Sequence, residues 1–276
     1  MQPSSTSPIL VIGATGKTGR RIGKRLAERG LAVREGSRQS DPPFDWERPE
    51  GWPKALSDVQ AVYITFYPDL AVPGASAAIE TLTACAREAG VKRLVLLAAR
   101  GEVNAQRCEA IVRDSGLPFT LLRASWFSQN FSEGHLLEPV RSGVLALPAG
   151  DVLEPFVDAD DIAEVAVAAL TDERHAGRTY ELTGPRLLSW ADAAAEISKA
   201  SGREVQYASI SLDEYRSALA ADAGPEFADM LTYLCRELLD GRNATLCDGV
   251  QQALGRAPRD FADFCRSAAA SGVWKQ

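Results

Sequence analysis

The sequence is poor in the residues that build metal sites and disulfide frameworks. It has two histidines and five cysteines in 276 residues, and no two cysteines stand in a Cys-x-x-Cys spacing. An odd number of scattered cysteines argues against a disulfide framework, and the shortage of histidine argues against a Cys/His metal cluster. We therefore expect no metal site, and isolated thiols in a reducing cytoplasm.

Long apolar runs and an excess of basic residues are also missing. No stretch approaches the ~20 apolar residues of a membrane span. The N-terminal MQPSSTSP has neither the positive nor the apolar region of a signal peptide, so we interpret residues 1–7 as a polar tail. The formal net charge of -7 argues against a nucleic-acid surface, which is normally basic. We expect a cytoplasmic protein with a small-molecule substrate and no nucleic-acid or membrane partner, and the sequence leaves a homodimer open.

Short apolar runs alternate with helical patterns in the first half of the chain. Apolar runs occupy 9–12, 31–35, 61–65, 94–98 and 119–122, with a further strand expected at PPFDW (42–46), and helical patterns occupy 17–29, 76–89 and 104–115. Continuous rather than alternating apolar strands are typical of a parallel sheet that helices cover on both faces. The pattern predicts an α/β fold with a doubly wound, Rossmann-type parallel sheet, to which 177–183 adds a late strand after a helix at 160–170.

A glycine-rich turn stands between the first predicted strand and the first predicted helix. ILVIGATGKTGRRI gives Gly13, Gly16 and Gly19 a G-x-x-G-x-x-G spacing. Such glycines permit a tight turn, a close approach of the backbone to a pyrophosphate and close helix–strand packing, while the helix N-terminus offers free N–H groups to phosphate. A glycine turn without a ligand is the alternative. We predict a dinucleotide site with these contacts: Gly13, Thr15, Gly16, Lys17, Thr18 and Gly19.

The residues at the end of the second strand distinguish an NAD site from an NADP site. NAD enzymes normally place an acidic residue there for the ribose hydroxyls, whereas NADP enzymes place an arginine for the 2′-phosphate. LAVREGSRQS puts Ser37 and Arg38 at the strand's exit, so we predict that they bind NADPH. Glu35 keeps NAD as the less favoured alternative, and a merely solvated Arg38 is the other.

Helical runs dominate after residue 185. They cover 189–200, 211–220, 225–240, 243–254 and 259–270, with one strand candidate at 205–208, and 126–156 is irregular and aromatic. The pattern predicts an NAD(P)-binding domain of residues 8–125 plus 157–184 and a smaller, mainly helical substrate-binding lobe of 126–156 plus 185–276. The ligands would lie between them, at the carboxyl ends of the strands.

Several of these motifs together resemble a known family. Residues 13–19 with Ser37 and Arg38, GLPFTLLRASWFSQNFSEGH (116–135) and VDADDIAEVAVAAL (157–170) resemble the NmrA-like atypical short-chain dehydrogenases. FDWERPEGW (44–52), the run 126–133 and ALGRAPRDFADF (253–264) are similar to the agroclavine and festuclavine dehydrogenase group. The resemblance spans nearly the whole chain and implies NADPH-dependent reduction of an iminium carbon, although the substrate does not transfer with the fold.

The tyrosine that usually supplies a proton in short-chain reductases is missing. No Tyr-x-x-x-Lys occurs, and the strand at 94–98 runs into Ala98 and Ala99. Ketone reduction needs a hydride and a proton, whereas an iminium carbon is already electrophilic and accepts the hydride alone. We therefore predict a reductase of an iminium, imine or similarly activated carbon. The alternatives are an NAD(P)H:quinone or azo reductase and a non-catalytic NADP-sensing regulator.

Aromatic side chains follow two of the predicted strands. We place Phe66 and Tyr67 at the nicotinamide end of the cofactor, and expect a substrate pocket lined by Tyr67, Trp126, Phe127 and Phe131. Ring faces suit a flat, aromatic or cationic substrate. Core packing is the favoured interpretation for Phe127 and Phe131. Tyr67 and His135 are weak candidates for a proton donor, and a structural His135 is favoured over a catalytic one.

Other polar residues have structural interpretations. Asp158, Asp160 and Asp161 precede the helix near 162–170, where carboxylates cap free N–H groups. Arg123, at a strand's end, is expected to bridge to these carboxylates, with contact to the substrate as the alternative, and His175 is expected on the surface. Arg107 stands roughly where short-chain reductases carry their lysine, and a solvent-facing side chain is an equal alternative.

Overall fold

The computed structural model describes residues 7–275, so most of the predicted polar tail lies outside the described residues. The elements of the first half are, in chain order, β1 (Ile9–Ile12), α1 (Lys17–Glu28), β2 (Val33–Gly36), α2 (Trp52–Leu56), β3 (Ala61–Ile64), α3 (Ala75–Glu88), β4 (Arg93–Ala99), α4 (Val103–Asp114) and β5 (Phe119–Ala124). The remaining elements are α5 (Asn130–Glu133), α6 (Leu137–Ser142), β6 (Val144–Leu147), β7 (Leu153–Glu154), α7 (Ala159–Thr171), β8 (Arg178–Leu182), β9 (Leu188–Ser189), α8 (Trp190–Ser201), β10 (Gln206–Ser209), α9 (Leu212–Ala223), α10 (Pro225–Leu238), α11 (Gly249–Leu254) and α12 (Phe261–Ser271).

Six strands form the central sheet within the described residues. Their order is β2-β1-β3-β4-β5-β8, and every neighbouring pair is parallel. The chain runs outward from β1 to β2 and then returns to the other side of β1 as β3, so the strand order reverses between β1 and β3. Such a reversal opens a crevice at the carboxyl ends of the strands. The predicted α/β class with a doubly wound parallel sheet is confirmed, and the predicted late strand is β8.

Alternate residues of each strand contribute to cores on opposite faces of the sheet. Ile9 and Val11 of β1 pack with α1 and α7, whereas Leu10 and Ile12 pack with α2, α3 and α4. Successive side chains of a strand point to opposite faces, so a strand that is covered on both faces must be apolar at every position. The unbroken ILVI of β1, buried throughout, follows from this arrangement.

The strand predicted at PPFDW is wrong, because no strand forms at 42–46. Phe44 instead stacks on Trp52 with ring centroids 5.6 Å apart, and the Trp52 indole N–H donates to the carbonyl of Asp45 at 2.7 Å. Two consecutive prolines remove backbone donors that a strand needs. The segment covers the sheet as an aromatic cluster rather than extending it.

A second body of structure packs on the carboxyl side of the sheet. Its buried cluster includes Phe131, Phe156, Trp190 and Phe261, and β6 pairs in parallel with β10 while β7 pairs antiparallel with β9. The helix predicted at 243–254 is confined to α11, which begins at Gly249. The backbone before it is irregular because its carbonyl groups accept hydrogen bonds from elsewhere in the molecule.

The cluster around Trp190 draws mainly on residues of 126–156 and 185–276, which are those assigned to the substrate-binding lobe. It also includes Ala71, from the loop that follows β3. The two-domain division itself stays a prediction. Among the described residues, no helix has the length and hydrophobicity required to cross a membrane.

Candidate active site

The glycine turn between β1 and α1 can be built only with glycine at two positions. Gly13 has a φ of +72°, and a Cβ there would lie 2.5 Å from the Thr65 side chain. A Cβ on Gly19 would lie 2.1 Å from the carbonyl oxygen of Gly13. Gly16 begins α1 with no side-chain cap, so the first N–H groups of the helix face the turn. These features form the cradle that a pyrophosphate requires.

The polar residues of the turn differ in what they can contact. Thr15 is exposed, whereas Thr18 is buried and its hydroxyl accepts a hydrogen bond from Tyr63 at 2.9 Å. The Thr18 side chain therefore holds β3 against the turn, and its backbone N–H can serve a phosphate. The Lys17 ammonium packs against Gly134, where an added Cβ would lie 3.0 Å from Nζ. Burial lowers the pKa of Lys17, which indicates a site that gains from a nearby anion.

Ion pairs connect α1 to α5 and to α7. Glu133 pairs with Arg20 and with Arg21, the latter at 2.7 Å, and Arg21 also reaches Asp160 at 3.3 Å. Burial opposes ionisation of Glu133, but the hydrogen bonds and charges of these arginines outweigh it and lower its pKa. The position of α5 beside the phosphate turn is thus fixed by ion pairs.

The carboxylates at the start of α7 are structural. Asp158 is the N-cap of the helix and accepts from the N–H of Asp160, as predicted. Asp161 is fully buried and pairs with Arg256 and Arg259 of the C-terminal region. None of the three is free for catalysis.

The two arginines near the end of β2 have different surroundings. Arg34 donates to the carbonyl oxygens of Ala55 and Ser57 at 2.9 and 2.6 Å, so it is occupied by the end of α2. Arg38 is exposed beyond the strand, in a turn where the Ser37 hydroxyl accepts from a backbone N–H. Of the two, Arg38 is the one that can turn toward a 2′-phosphate.

The two residues that end β4 carry no side chain that could donate a proton. The strand ends in Ala98 and Ala99, as the sequence shows, and Arg100 turns away toward β8. Its guanidinium donates to Glu181 at 2.9 Å and to the carbonyl oxygens of Asn243 and Thr245, both at 3.0 Å. A helix at 243–248 would have used those carbonyl groups internally, which explains the shortened α11.

Two arginines and one histidine correct or refine the sequence interpretation. Arg123 does not bridge to the α7 carboxylates; it pairs with the buried Glu109 at 2.6 Å and with Glu181 at 3.2 Å, because its strand position faces α4 and β8. Arg107 is exposed. His175 is buried rather than on the surface, and its Nδ1 lies 2.8 Å from the Tyr180 hydroxyl.

His135 lies beside the phosphate turn and is unsuited to donating a proton. Burial and the charge of Lys17 lower the pKa of His135 to about 4, so the imidazole is neutral at pH 7. Its Nε2 is buried without a hydrogen-bond partner among residues 7–275, and its ring centroid is 6.3 Å from that of Phe227. It can still contribute a neutral hydrogen bond to a ligand.

The aromatic candidates fall into a core group and a cleft group. Phe131 is completely buried between Phe156, Trp190 and Phe261, which agrees with the favoured interpretation of core packing rather than a place in the substrate pocket. Phe127 is half-buried and packs with the α7 core. Tyr67 is 76% exposed at the exit of β3, and Phe66 beside it packs on Trp46 at 4.5 Å between ring centroids.

The loop after β5 carries polar atoms that the described protein does not pair. Ser125 Oγ, Trp126 Nε1 and Ser128 Oγ are buried and lack hydrogen-bond partners in the described part of the chain. A buried unpaired donor costs about 1–3 kcal/mol, so three in one loop indicate a place where ligands complete the hydrogen bonding. Together with the glycine cradle, they fit a dinucleotide laid across the carboxyl edge of the sheet.

Three acidic residues and a tyrosine near this edge were missed by sequence reasoning. Tyr233 of α10 donates to Glu102 at 2.9 Å, Asp69 follows β3, and Glu154 of β7 is fully buried with neither oxygen paired within residues 7–275. Burial raises the pKa of Glu154 to about 8, despite the opposing charge of Arg100. Glu154 had a signal, a single acid within the apolar run VLEPFV; Tyr233 had none, because its partner is distant in sequence.

Comparison with known proteins identifies the family. A family model described as NAD(P)H-binding matches residues 13–173. The chain belongs to this NAD(P)H-binding family. It is 30% identical over 290 residues to prestalk A differentiation protein A of Dictyostelium discoideum, covering 96% of this chain and 95% of that protein. It is also 30% identical over 292 residues to an NAD(P)H azoreductase of Xenophilus azovorans, with coverages of 95% and 98%.

Further relatives support the resemblance found in the sequence. Festuclavine dehydrogenase of Aspergillus fumigatus is 29% identical over 282 residues, covering 93% of this chain and 96% of that protein. Triphenylmethane reductase of Citrobacter sp., solved with NADP(H), superposes with a TM-score of 0.75 at 22% identity, covering 95% and 99% of the chains. The regulator NmrA, solved with NAD, gives 0.68 at 17% identity, covering 99% and 100%. The protein is an NAD(P)H-dependent oxidoreductase with an NmrA-like fold.

Proposed function

We propose that this enzyme uses NADPH to reduce an iminium or imine carbon of a small, flat molecule. The observation that carries the proposal is the exit of β4, where Ala98 and Ala99 stand and Arg100 is held away by Glu181. Hydride delivery to an already cationic carbon yields a neutral amine and requires no acid from the protein. The similarity to festuclavine dehydrogenase across 93% of the chain supports the same substrate class.

The residues that would hold the cofactor run along one edge of the sheet. The first N–H groups of α1 and the Lys17 ammonium suit the pyrophosphate, and Arg38 suits the 2′-phosphate, which favours NADPH over NADH. The nicotinamide supplies the hydride when bound. Trp126 Nε1 and the hydroxyls of Ser125 and Ser128 are available to hydrogen-bond the end of the cofactor that lies near β5.

The substrate would lie between the exits of β3 and β5, with residues 126–156 and 185–276 as its lobe. Tyr67 is exposed and Trp126 is half-buried, so both can offer ring faces to a cationic ring system. Such contacts are worth about 0.5–2 kcal/mol each. These side chains would align the hydride-donating carbon of the cofactor with the accepting carbon of the substrate and exclude water. Alignment lowers the activation barrier because less entropy is lost in reaching the transition state.

A substrate screen tests this proposal. Purified enzyme is given NADPH with cyclic iminium salts, quinones and azo dyes in parallel, and NADPH consumption is followed at 340 nm. We expect turnover of iminium salts at rates well above those of the other two classes. Turnover of quinones alone would contradict the proposal.

Azo reduction is the second candidate, because an NAD(P)H azoreductase is 30% identical over 95% of the chain. Reduction of an N=N bond needs a proton on the second nitrogen, which water would have to supply at this edge. Azo turnover that exceeds iminium turnover in the same screen would favour this second function.

A further inference from the structure

The hydroxyl hydrogen of Tyr233, in α10, is donated in a hydrogen bond to a buried carboxylate. Tyr233 Oη donates to Glu102 Oε1 at 2.9 Å, and Glu102 has no exposed surface. The other oxygen of Glu102 accepts from the N–H of Ala105 as the N-cap of α4. Both oxygens of Glu102 are therefore acceptors, which fits an ionised carboxylate at a helix N-terminus.

The pair lies at the reacting edge of the sheet. Glu102 follows Ala99 by three residues, in the loop that leaves β4, and Asp69 lies close by in the loop that leaves β3. Burial and the charge of Glu102 raise the pKa of Asp69 to about 6. Tyr233 brings the C-terminal lobe to this edge, and its side chain is half-exposed rather than sealed in the core.

Toward a ligand, Tyr233 can act only as a hydrogen-bond acceptor, unlike a tyrosine that donates a proton. A phenol has one hydrogen and two lone pairs, so a phenol that donates to Glu102 can only accept from a third group. Burial and the hydrogen bond to Glu102 raise the pKa of Tyr233 to about 12, whereas a catalytic acid needs a lower value. Glu102 and Glu237 surround it with negative charge, which Arg107 offsets only in part.

We propose that Tyr233 Oη accepts a hydrogen bond from the N–H of a protonated imine and so selects this substrate over neutral carbonyl acceptors. The inference rests on the proposed function and specifies its substrate class. In the reaction, hydride adds to carbon, the C=N electron pair becomes a nitrogen lone pair, and the N–H proton stays on nitrogen. Tyr233 loses no proton, so the step balances without an acid.

The test compares two substrates that differ only at nitrogen, a cyclic imine in its protonated form and its N-methyl iminium salt. Tyr233→Phe should lower kcat/KM for the protonated imine about 10- to 100-fold, the effect of one hydrogen bond to a charged group. It should leave the N-methyl salt within about 2-fold, because that salt has no N–H to donate. Tyr215→Phe is the matched control, since Tyr215 is a buried tyrosine of the core cluster around Trp190 and makes no hydrogen bond to Glu102.

Equal losses for both substrates would assign Tyr233 a purely structural role, and no loss for either would also overturn the inference. A second readout does not depend on turnover. A protonated cyclic amine and its N,N-dimethyl analogue are titrated into the NADP-loaded protein. Tyr233→Phe should weaken binding of the protonated amine and leave binding of the dimethyl analogue unchanged. If the wild-type enzyme reduces neither compound yet shows this binding difference, the proposed function fails, whereas the assignment of Tyr233 Oη as the acceptor for a ligand N–H stands.

Discussion

The two ends of the cleft are built in different ways. At the glycine turn, Gly13 and Gly19 meet each other within seven residues of chain, so the local sequence dictates the geometry. At the exit of β4, each polar group depends on a distant partner: Glu102 on Tyr233, 131 residues away, and Arg100 on Thr245, 145 residues away. The geometry of the glycine turn can therefore be predicted from the sequence, whereas the geometry at the exit of β4 depends on the folded chain.

The largest effect on cofactor binding is expected from adding a side chain at Gly19, where the backbone of the turn packs most closely. Gly19→Ala places a Cβ against the Gly13 carbonyl, so the turn must open and the phosphate cradle is lost. We expect NADPH affinity, measured by fluorescence titration, to fall about 100-fold.

Gly23→Ala is the control in the same helix, because the nearest atom to its added Cβ is 4.0 Å away. It should bind NADPH normally and unfold at a higher temperature, since alanine stabilises a helix interior by about 0.5–1 kcal/mol over glycine. Equal loss of binding in both variants would show that the close packing at Gly19 is not what shapes the site.

The second prediction addresses Glu154, which is buried and whose two oxygens have no hydrogen-bond partner among the described residues. Its folded-state pKa of about 8 lies above that of an unfolded glutamate, so the native state holds the proton more tightly. The stability contributed by the protonated form is full below the unfolded pKa and is lost as pH rises through about 8. Replacing Glu154 with glutamine should raise the free energy of unfolding at pH 8 by on the order of 3 kcal/mol.

Urea unfolding at pH 5 and at pH 8 measures this effect. The free energy of unfolding of the wild type should fall relative to that of Glu154→Gln from pH 5 to pH 8. At pH 5 the free energies of unfolding of the two proteins should be similar. Glu80→Gln, at an exposed position of α3, is the control and should change neither value. A constant difference between wild type and Glu154→Gln across this range would contradict the assignment.

The smallest expected effect separates the two nicotinamide cofactors. Arg38→Ala should weaken NADPH binding about 10- to 100-fold by removing one charge-assisted contact, and should leave NADH binding unchanged. Arg29→Ala, another exposed arginine at the end of α1, should change neither affinity. If the wild type binds NADPH and NADH equally, Arg38 does not read the 2′-phosphate.

Sequence reasoning succeeded where a residue's role depends on its own neighbours. The strands β1, β4 and β5 and the helices α1, α3 and α4 lie within two residues of their predicted bounds. The strands could be predicted because strands covered on both faces are continuously apolar. Asp158 was correctly predicted as a cap. The expectation for PPFDW failed because its aromatic rings pack better on α2 than in a sheet, and His175 failed because the fold buries a turn that is polar in sequence.

The amino-acid sequence by itself determined the parallel sheet, the glycine turn and the absence of the usual proton-donating tyrosine. These features depend on apolar continuity, on glycine spacing and on residue identity, all of which are local properties of the chain. Only the tertiary structure decided that Arg123 pairs with Glu109, that Phe131 belongs to the core and that Tyr233 reaches Glu102. Buried charges and phenols must find partners wherever packing brings them, and packing joins segments that are far apart in sequence.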